Sequence, residues 1–168
     1  MSNDVKKLVN EAYNEVMPII LAKYPEFNDK FRIEYSNRLR TSGGVAYKNA
    51  FKIKLNTRLL SENLCDVKQT IVHEIAHLVE FHLGLRGGHG KDWQRIMSWL
   101  GYPAKTYHTM DTKKFKAKRK RFLFTCDCGE NFKVTRKWYN SIMRGSCGCT
   151  KCGEKLAINK HFKKIIIL

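Results

Sequence analysis

Two sets of chemistry-bearing residues stand out: histidines around H-E-I-A-H, His73 to His77, and cysteines crowded between Cys126 and Cys152. On an α-helix, residues four apart lie one turn above each other, so His73 and His77 can aim imidazole nitrogens at one ion. Glu74 sits one position round, where its carboxylate can reach water at that ion without ligating it. A zinc-dependent peptidase needs this arrangement, with Glu74 as the catalytic acid and base; chance alone gives H-E-x-x-H in roughly one such chain in a hundred. The third ligand is His89, in the pair His89-Gly90. His82 is the rival, but five residues past His77 is about 140° round an ideal helix, so it faces away. Three neutral imidazoles leave zinc one open position. A further oxyanion donor is needed, with Tyr102, Tyr107 and His108 as unranked candidates.

The segments F-L-F-T-C-D-C-G-E and S-C-G-C-T-K-C-G-E-K-L carry five of the six cysteines. Two such knuckles can close a tetrahedral site of four thiolates, a structural zinc that stabilises a module too small to fold on its core alone. The assignment is Cys126, Cys128, Cys149 and Cys152. The first pair is C-x-C rather than C-x-x-C, so Cys147 in place of Cys149 stays open. Cys65, alone in the first part of the chain, reads as a small buried hydrophobe. His108 and His161 read as surface residues.

The element that must position H-E-I-A-H runs from Leu64 to Leu83 without Gly or Pro. Leu64, Val67, Ile71, Ile75 and Leu78 recur at helical spacing beside the stripe of Asp66, Thr70, His73 and His77. Gly84 suits the helix end, and Gly87-Gly88 lets the chain turn back toward the ion. A second helix over K-D-W-Q-R-I-M-S-W-L, with Trp93, Ile96, Met97 and Leu100 inward and Gly101 ending it, gives His89 a firm support. Asp92 is either an outer partner of a ligand histidine or a carboxylate facing the helix dipole. Upstream, Val5 to Tyr24 forms an amphipathic helix with Val5, Leu8, Val9, Ala12, Val16 and Ile19 or Ile20 on one side, bent or broken at Pro18. Short strands follow over 31–36, 45–47 and 51–56, separated by the turn signal Ser42-Gly43-Gly44. Alternation of Phe51, Ile53 and Leu55 with Lys52 and Lys54 predicts a sheet with one face on the helices and one wet, able to offer an edge to an extended peptide.

A chain of 168 residues supports one sizeable core or a modest core plus a small stapled module. Its apolar fraction of 43% argues against wholesale disorder. No apolar run reaches membrane-spanning length and M-S-N-D-V-K-K-L-V-N lacks a signal-peptide apolar region, so the expectation is an intracellular, cytoplasmic monomer without a membrane partner. The net charge of +17 is uneven: residues 1–100 carry 15 basic and 11 acidic side chains, +4, and residues 101–168 carry 17 and 4, +13. A polyanion partner is therefore expected on the C-terminal part, nucleic acid being the commonest. The run K-K-F-K-A-K-R-K-R supplies Lys114, Lys116, Lys118, Arg119, Lys120 and Arg121, and reads as a linker over 111–121 between domains at 1–110 and 122–168. Between the cysteine knuckles, Lys133, Arg136, Lys137, Trp138, Tyr139 and Arg144 interleave charge with aromatics, the composition that grips a backbone and stacks bases. The competing reading of Trp138 and Tyr139 is the small core of the ribbon.

With these pieces placed, the chain resembles the SprT-like zinc metalloproteases, the family of bacterial SprT and animal Spartan. The likeness runs from about Phe31 to Leu156 and rests on F-R-I-E-Y-S-N-R-L-R with the later G-G-V-A and I-K-L-N, on H-E-I-A-H, on His89-Gly90 with Trp93 soon after, and on T-R-K-W-Y-N-S-I-M-R-G before C-x-x-C-G-E-K-L. The resemblance implies an α+β fold: a zincin-like domain, its small sheet packed on helices, followed by a four-cysteine zinc ribbon. It implies His73, His77 and His89 as ligands of a catalytic Zn2+, Glu74 as acid and base, and a second, structural Zn2+ in the ribbon. It also implies proteolysis of proteins bound or crosslinked to DNA, single- or double-stranded. The alternative is a nucleic-acid-binding zinc protein whose histidine site is structural or vestigial.

Overall fold

A computed structural model describes residues 3–116 and 118–167. The chain divides into two compact units, Met1–Lys116 and Ala117–Leu168, each mixing helices and strands. Among the described residues no helix is long and apolar enough to cross a membrane.

The first unit opens with helix α1 (Asn3–Lys23), whose Val5, Val9, Ala12, Val16 and Ile20 are fully buried. Ile20, not Ile19, faces the core, and Pro18 does not end the helix. A proline costs one helical hydrogen bond and a clash of about 3 kcal/mol, which burial of Val16, Met17 and Ile20, at roughly 1.5–3 kcal/mol per large apolar side chain, offsets. Three strands follow: β1 (Arg32–Ser36), β2 (Gly44–Tyr47) and β3 (Lys52–Asn56). Their order is β1-β3-β2, with β1 parallel and β2 antiparallel to the central β3. Ile53 and Leu55 point into the core, while Lys52 and Lys54 pair with Glu34 on the other face at 2.9 and 3.6 Å. Phe51 precedes this alternation: it sits in the β2–β3 turn at φ 41° and packs on Phe27, ring centroids 5.6 Å apart.

Asn56, fully buried at the end of β3, ties three segments together. Its Oδ1 caps helix α2 (Thr57–Ser61) by accepting from the Leu59 N–H, its Nδ2 donates to the Ser42 carbonyl, and its own N–H donates to the Gly43 carbonyl. The segment leading into β2 is thereby fixed.

The expected long helix splits into a 3-10 turn over Leu64–Asp66 and helix α3 (Val67–His82). The tighter turn takes Leu64 off the apolar stripe and leaves it 39% exposed; Cys65, expected to be buried, is exposed for the same reason. Val67, Ile71, Ile75 and Leu78 are fully buried. Gly84 ends α3 at φ 68°, with Leu85 N–H bonded to the Glu80 carbonyl and Gly84 N–H to that of Phe81. That left-handed cap costs glycine no Cβ clash. Helix α4 (Lys91–Trp99) follows, with Trp93, Ile96 and Met97 buried.

The second unit is an antiparallel sheet of order β5-β4-β6, formed by β4 (Lys120–Thr125), β5 (Asn131–Val134) and β6 (Phe162–Ile167), with helices α5 (Arg136–Met143) and α6 (Ile158–His161). Its core is small: Phe122, Phe124, Cys126, Val134, Ile142, Cys149 and Leu156. The basic run is partitioned, Lys113–Phe115 forming a 3-10 turn in the first unit and Lys120 and Arg121 opening β4. His161, expected at the surface, is 1% exposed, because the chain after the last cysteine returns as α6 and β6 instead of trailing off.

Candidate metal centres

Helix α3 delivers His73 and His77 one turn apart, and the glycine turn before α4 brings His89 back to them. The three Nε2 atoms converge: His89 Nε2 lies 3.0 Å from His73 Nε2 and 3.2 Å from His77 Nε2. Nitrogens bound tetrahedrally at ordinary zinc distances stand about 3.3 Å apart, so the donor set fits that ion. Burial first, then the charge of His89, holds His73 down at about 4. Burial, then His73, does the same for His77, and burial lowers His89. The imidazoles are thus kept neutral, with lone pairs free for a cation.

The outer nitrogens are also held. His77 Nδ1 lies 2.8 Å from Glu80 Oε2, and Glu80 is 3% exposed. Burial, then Asp92, pushes Glu80 up to about 7. The backbone of Lys105 faces His73 and works against the burial of its ring, favouring the protonated form. Such contacts fix the tautomer and aim the ring. Trp93, fully buried, floors the site, its ring centroid 4.7 Å from that of His73, 5.7 Å from His77 and 4.8 Å from His89. The outer partner is Glu80, which the sequence reading missed, whereas Asp92 pairs with Arg95 at 3.4 Å. The signal for Glu80 was its i, i+3 spacing from His77.

Glu74 stays out of the histidine cluster. It is 6% exposed, faces the backbone of Ala46 in β2, and burial pushes it up to about 7. Gly44, read as turn chemistry, serves close approach instead: a Cβ there would stand 2.8 Å from Glu74 Cγ and 3.0 Å from its Oε1. A cleft of about 640 Å³ opens over these groups, lined by Gly43 to Ala46 of the edge strand, by His73, Glu74, His77 and His89, and by Lys105 to Thr109 opposite.

Of the oxyanion candidates, Tyr107 and His108 line the cleft, His108 Nε2 donating to the Thr41 carbonyl at 2.7 Å. Tyr102 instead donates to Glu15 at 2.6 Å. His82 turns away to Glu26 at 3.3 Å, between the rings of Tyr24 and Phe27.

In the second unit, one ligand atom each from Cys126, Cys128, Cys149 and Cys152 lies within 4.8 Å of all the others. Cys126 Sγ is 3.6 Å from Cys152 Sγ, and Cys128 Sγ 3.7 Å from Cys149 Sγ. Zinc thiolates stand about 3.8 Å apart, so this set fits zinc as well. Cys147 is outside the cluster; its carbonyl accepts from Leu156 N–H at 3.0 Å, bracing the second knuckle.

The residues read as nucleic-acid contacts differ in availability. Lys114 is paired with Glu62 in the first unit. Lys116, Lys118, Arg119 and Lys120 are exposed, and Arg121 is half-buried. Lys137 and Trp138 on α5 and Arg144 just past it are exposed, as is Arg136, whose guanidinium lies 4.6 Å from the Phe122 ring centroid. The two aromatics divide: Tyr139 packs on Phe122 at 4.2 Å as core, and Trp138 remains 40% exposed.

The sequence matches the model of the SprT-like family over residues 10–119. It is 35% identical over 130 residues to Protein SprT of Escherichia coli O157:H7, covering 74% of this chain and 76% of the relative. Protein SprT of Shigella boydii serotype 18 is likewise 35% identical, and that of Salmonella arizonae 34%, with the same coverage. With matches spanning most of its length and every residue of H-E-I-A-H in place, the chain belongs to the SprT-like family.

Proposed function

We propose that the protein is a zinc-dependent endopeptidase of zincin type that cleaves unfolded segments of proteins held on DNA. The observation that carries this reading is the separation of roles at one site: three Nε2 atoms converge at 3.0 and 3.2 Å, while the adjacent carboxylate of Glu74 stays outside them, facing the cleft. A purely structural centre has no use for an uncoordinated buried acid beside an open cleft. When bound, zinc supplies Lewis acidity to the peptide carbonyl and acidifies water at its open position.

Glu74 takes the proton from the attacking water and returns it to the leaving amine, a task suited to a carboxyl that burial has moved toward neutral pH. The free edge of β2 accepts an extended peptide by main-chain hydrogen bonds, which favours unfolded substrate over compact protein. The +13 charge of residues 101–168 and the exposed Trp138 support DNA as the partner that gathers substrate.

The test is a cleavage assay on a disordered, DNA-bound protein with and without single-stranded DNA and with a chelator control. Cleavage is expected in the zinc-loaded wild type, with a gain on adding DNA. Glu74→Gln is expected to keep zinc and lose activity by about 10³-fold or more, within the range for loss of a general base. Zinc-loaded wild type that is inert with and without DNA would instead identify a nucleic-acid-binding protein.

A further inference from the structure

His161 is an anomaly in the second unit. It is 1% exposed, and its Nε2 is the buried side-chain nitrogen that finds no hydrogen-bond partner among the described residues. A buried polar group left unpaired loses its hydration and gains nothing in return, so such an atom needs an explanation. Its Nδ1 faces the backbone of Ala157: the Ala157 N–H donates to it at 2.9 Å, while the Ala157 carbonyl, 3.2 Å away, already accepts from the His161 N–H. Nδ1 is therefore the acceptor, and the ring proton sits on Nε2. The orphan is a donor.

Three acceptors surround it. Asp127 Oδ1 and Glu154 Oε1 are each 3.6 Å from Nε2, beyond hydrogen-bond range. Both carboxylates are engaged by Lys160, Glu154 at 2.8 Å. The third is the ribbon itself: Cys126 Sγ, a Glu154 carboxylate oxygen and a His161 ring nitrogen lie within 4.8 Å of one another. As a thiol, Cys126 is a weak acceptor and points its own proton at Glu154 Oε2, 3.5 Å away. As a metal thiolate it is an anion beside a carboxylate, and that contact turns repulsive.

We propose that His161 is a positioning residue of the cysteine centre, its Nε2–H donating to the Cys126 thiolate when the ribbon holds its metal. One proton then resolves two problems, pairing the buried donor and separating the thiolate from Glu154. Because His161 joins α6 to β6, the same bond fastens the strand that carries exposed Lys163 and Lys164 to the metal centre. This rests on the reading that the four cysteines bind a metal, and not on proteolysis at the histidine centre.

The experiment uses the full chain loaded with 113Cd. Wild-type protein is expected to show a scalar coupling between cadmium and the His161 Nε2–H, relayed through Cys126 Sγ. With cobalt, His161→Phe is expected to shift the thiolate-to-metal charge-transfer band to lower energy and weaken metal retention by the cysteine centre 10–100-fold, the usual loss for a group that orients a ligand. His161→Gln, which keeps an N–H, should recover part of both. The histidine centre should hold its metal unchanged throughout. No coupling in the wild type together with an unshifted band in His161→Phe would overturn the proposal and assign the imidazole to the carboxylates alone. A wild-type ribbon that takes up neither cadmium nor cobalt would overturn it together with the metal reading of the cysteines, leaving the endopeptidase proposal standing.

Discussion

The two centres use opposite strategies. In the first unit, the candidate ligands sit on α3 and in the turn before α4, above a large core of buried residues from α1, β3, α2 and α3. In the second, two of the four ligands, Cys126 and Cys149, are themselves part of the core, and the remaining buried apolar side chains are few. A unit that small buries little apolar surface against its chain entropy, so an ion held by the four cysteines would add its binding energy to folding. Three donors facing a cleft leave room for chemistry, whereas four donors closing a tetrahedron leave none. The difference lies in the number of donors and in what holds them.

Metal removal gives the largest contrast. Stripping the protein with a chelator is expected to abolish amide-exchange protection across β4, β5 and β6 while α1 and α3 stay protected, and Cys149→Ala with Cys152→Ala should do the same and weaken DNA binding. Persistent protection of β4 in the stripped protein would show that the second core suffices alone.

Within the first centre, Glu80→Ala should cost about 10–100-fold in zinc affinity, because it frees His77 to rotate. Asp92→Ala should leave that affinity unchanged, as its partner is Arg95. Competition with a chromogenic chelator separates the two, and equal effects would reject Glu80 as the outer partner.

Gly44→Ala is a milder perturbation of the same centre. The added methyl meets Glu74 Cγ at 2.8 Å, so either β2 or the carboxylate must shift. Overpacking of this kind costs about 1–3 kcal/mol of stability, and a displaced base should lower kcat by about tenfold with zinc content unchanged. An unaltered kcat would show that β2, and not the Glu74 carboxylate, gives way.

Smallest is a proton balance in metal-stripped protein. His73 and His77 sit at about 4 against an ordinary 6.5, so between those values the unfolded chain binds more protons and stability rises with pH. Glu74 and Glu80 sit at about 7 against 4.5, so there the native state binds more protons and stability falls as pH rises. The pairs oppose each other between 4.5 and 6.5, and wild-type stability should change little in that window, with the lowered His89 leaving a slight rise with pH. Glu74→Gln removes one opposing group, leaving an excess of about one proton taken up on unfolding and stability that climbs with pH. Denaturant titrations at several pH values would show it; a level profile in the variant would contradict it.

Sequence spacing alone determined much of this protein. Period 3.6 placed His73, His77 and the buried face of α3, and period 2 placed Ile53 and Leu55, because local geometry repeats with the chain. Excluding His82 needed only the turn angle of a helix. Tertiary structure decided what depends on residues far apart in the chain. It chose Glu80 over Asp92, made Gly44 a close contact rather than a turn, and selected Cys149 over Cys147. It sent Tyr139 inward and Trp138 outward, and it buried His161 within the second unit. Apart from the i, i+3 spacing of Glu80 from His77, none of these has a local signature: each follows from which surfaces meet when the chain packs, and burial and pairing exist only once the distant partner has arrived.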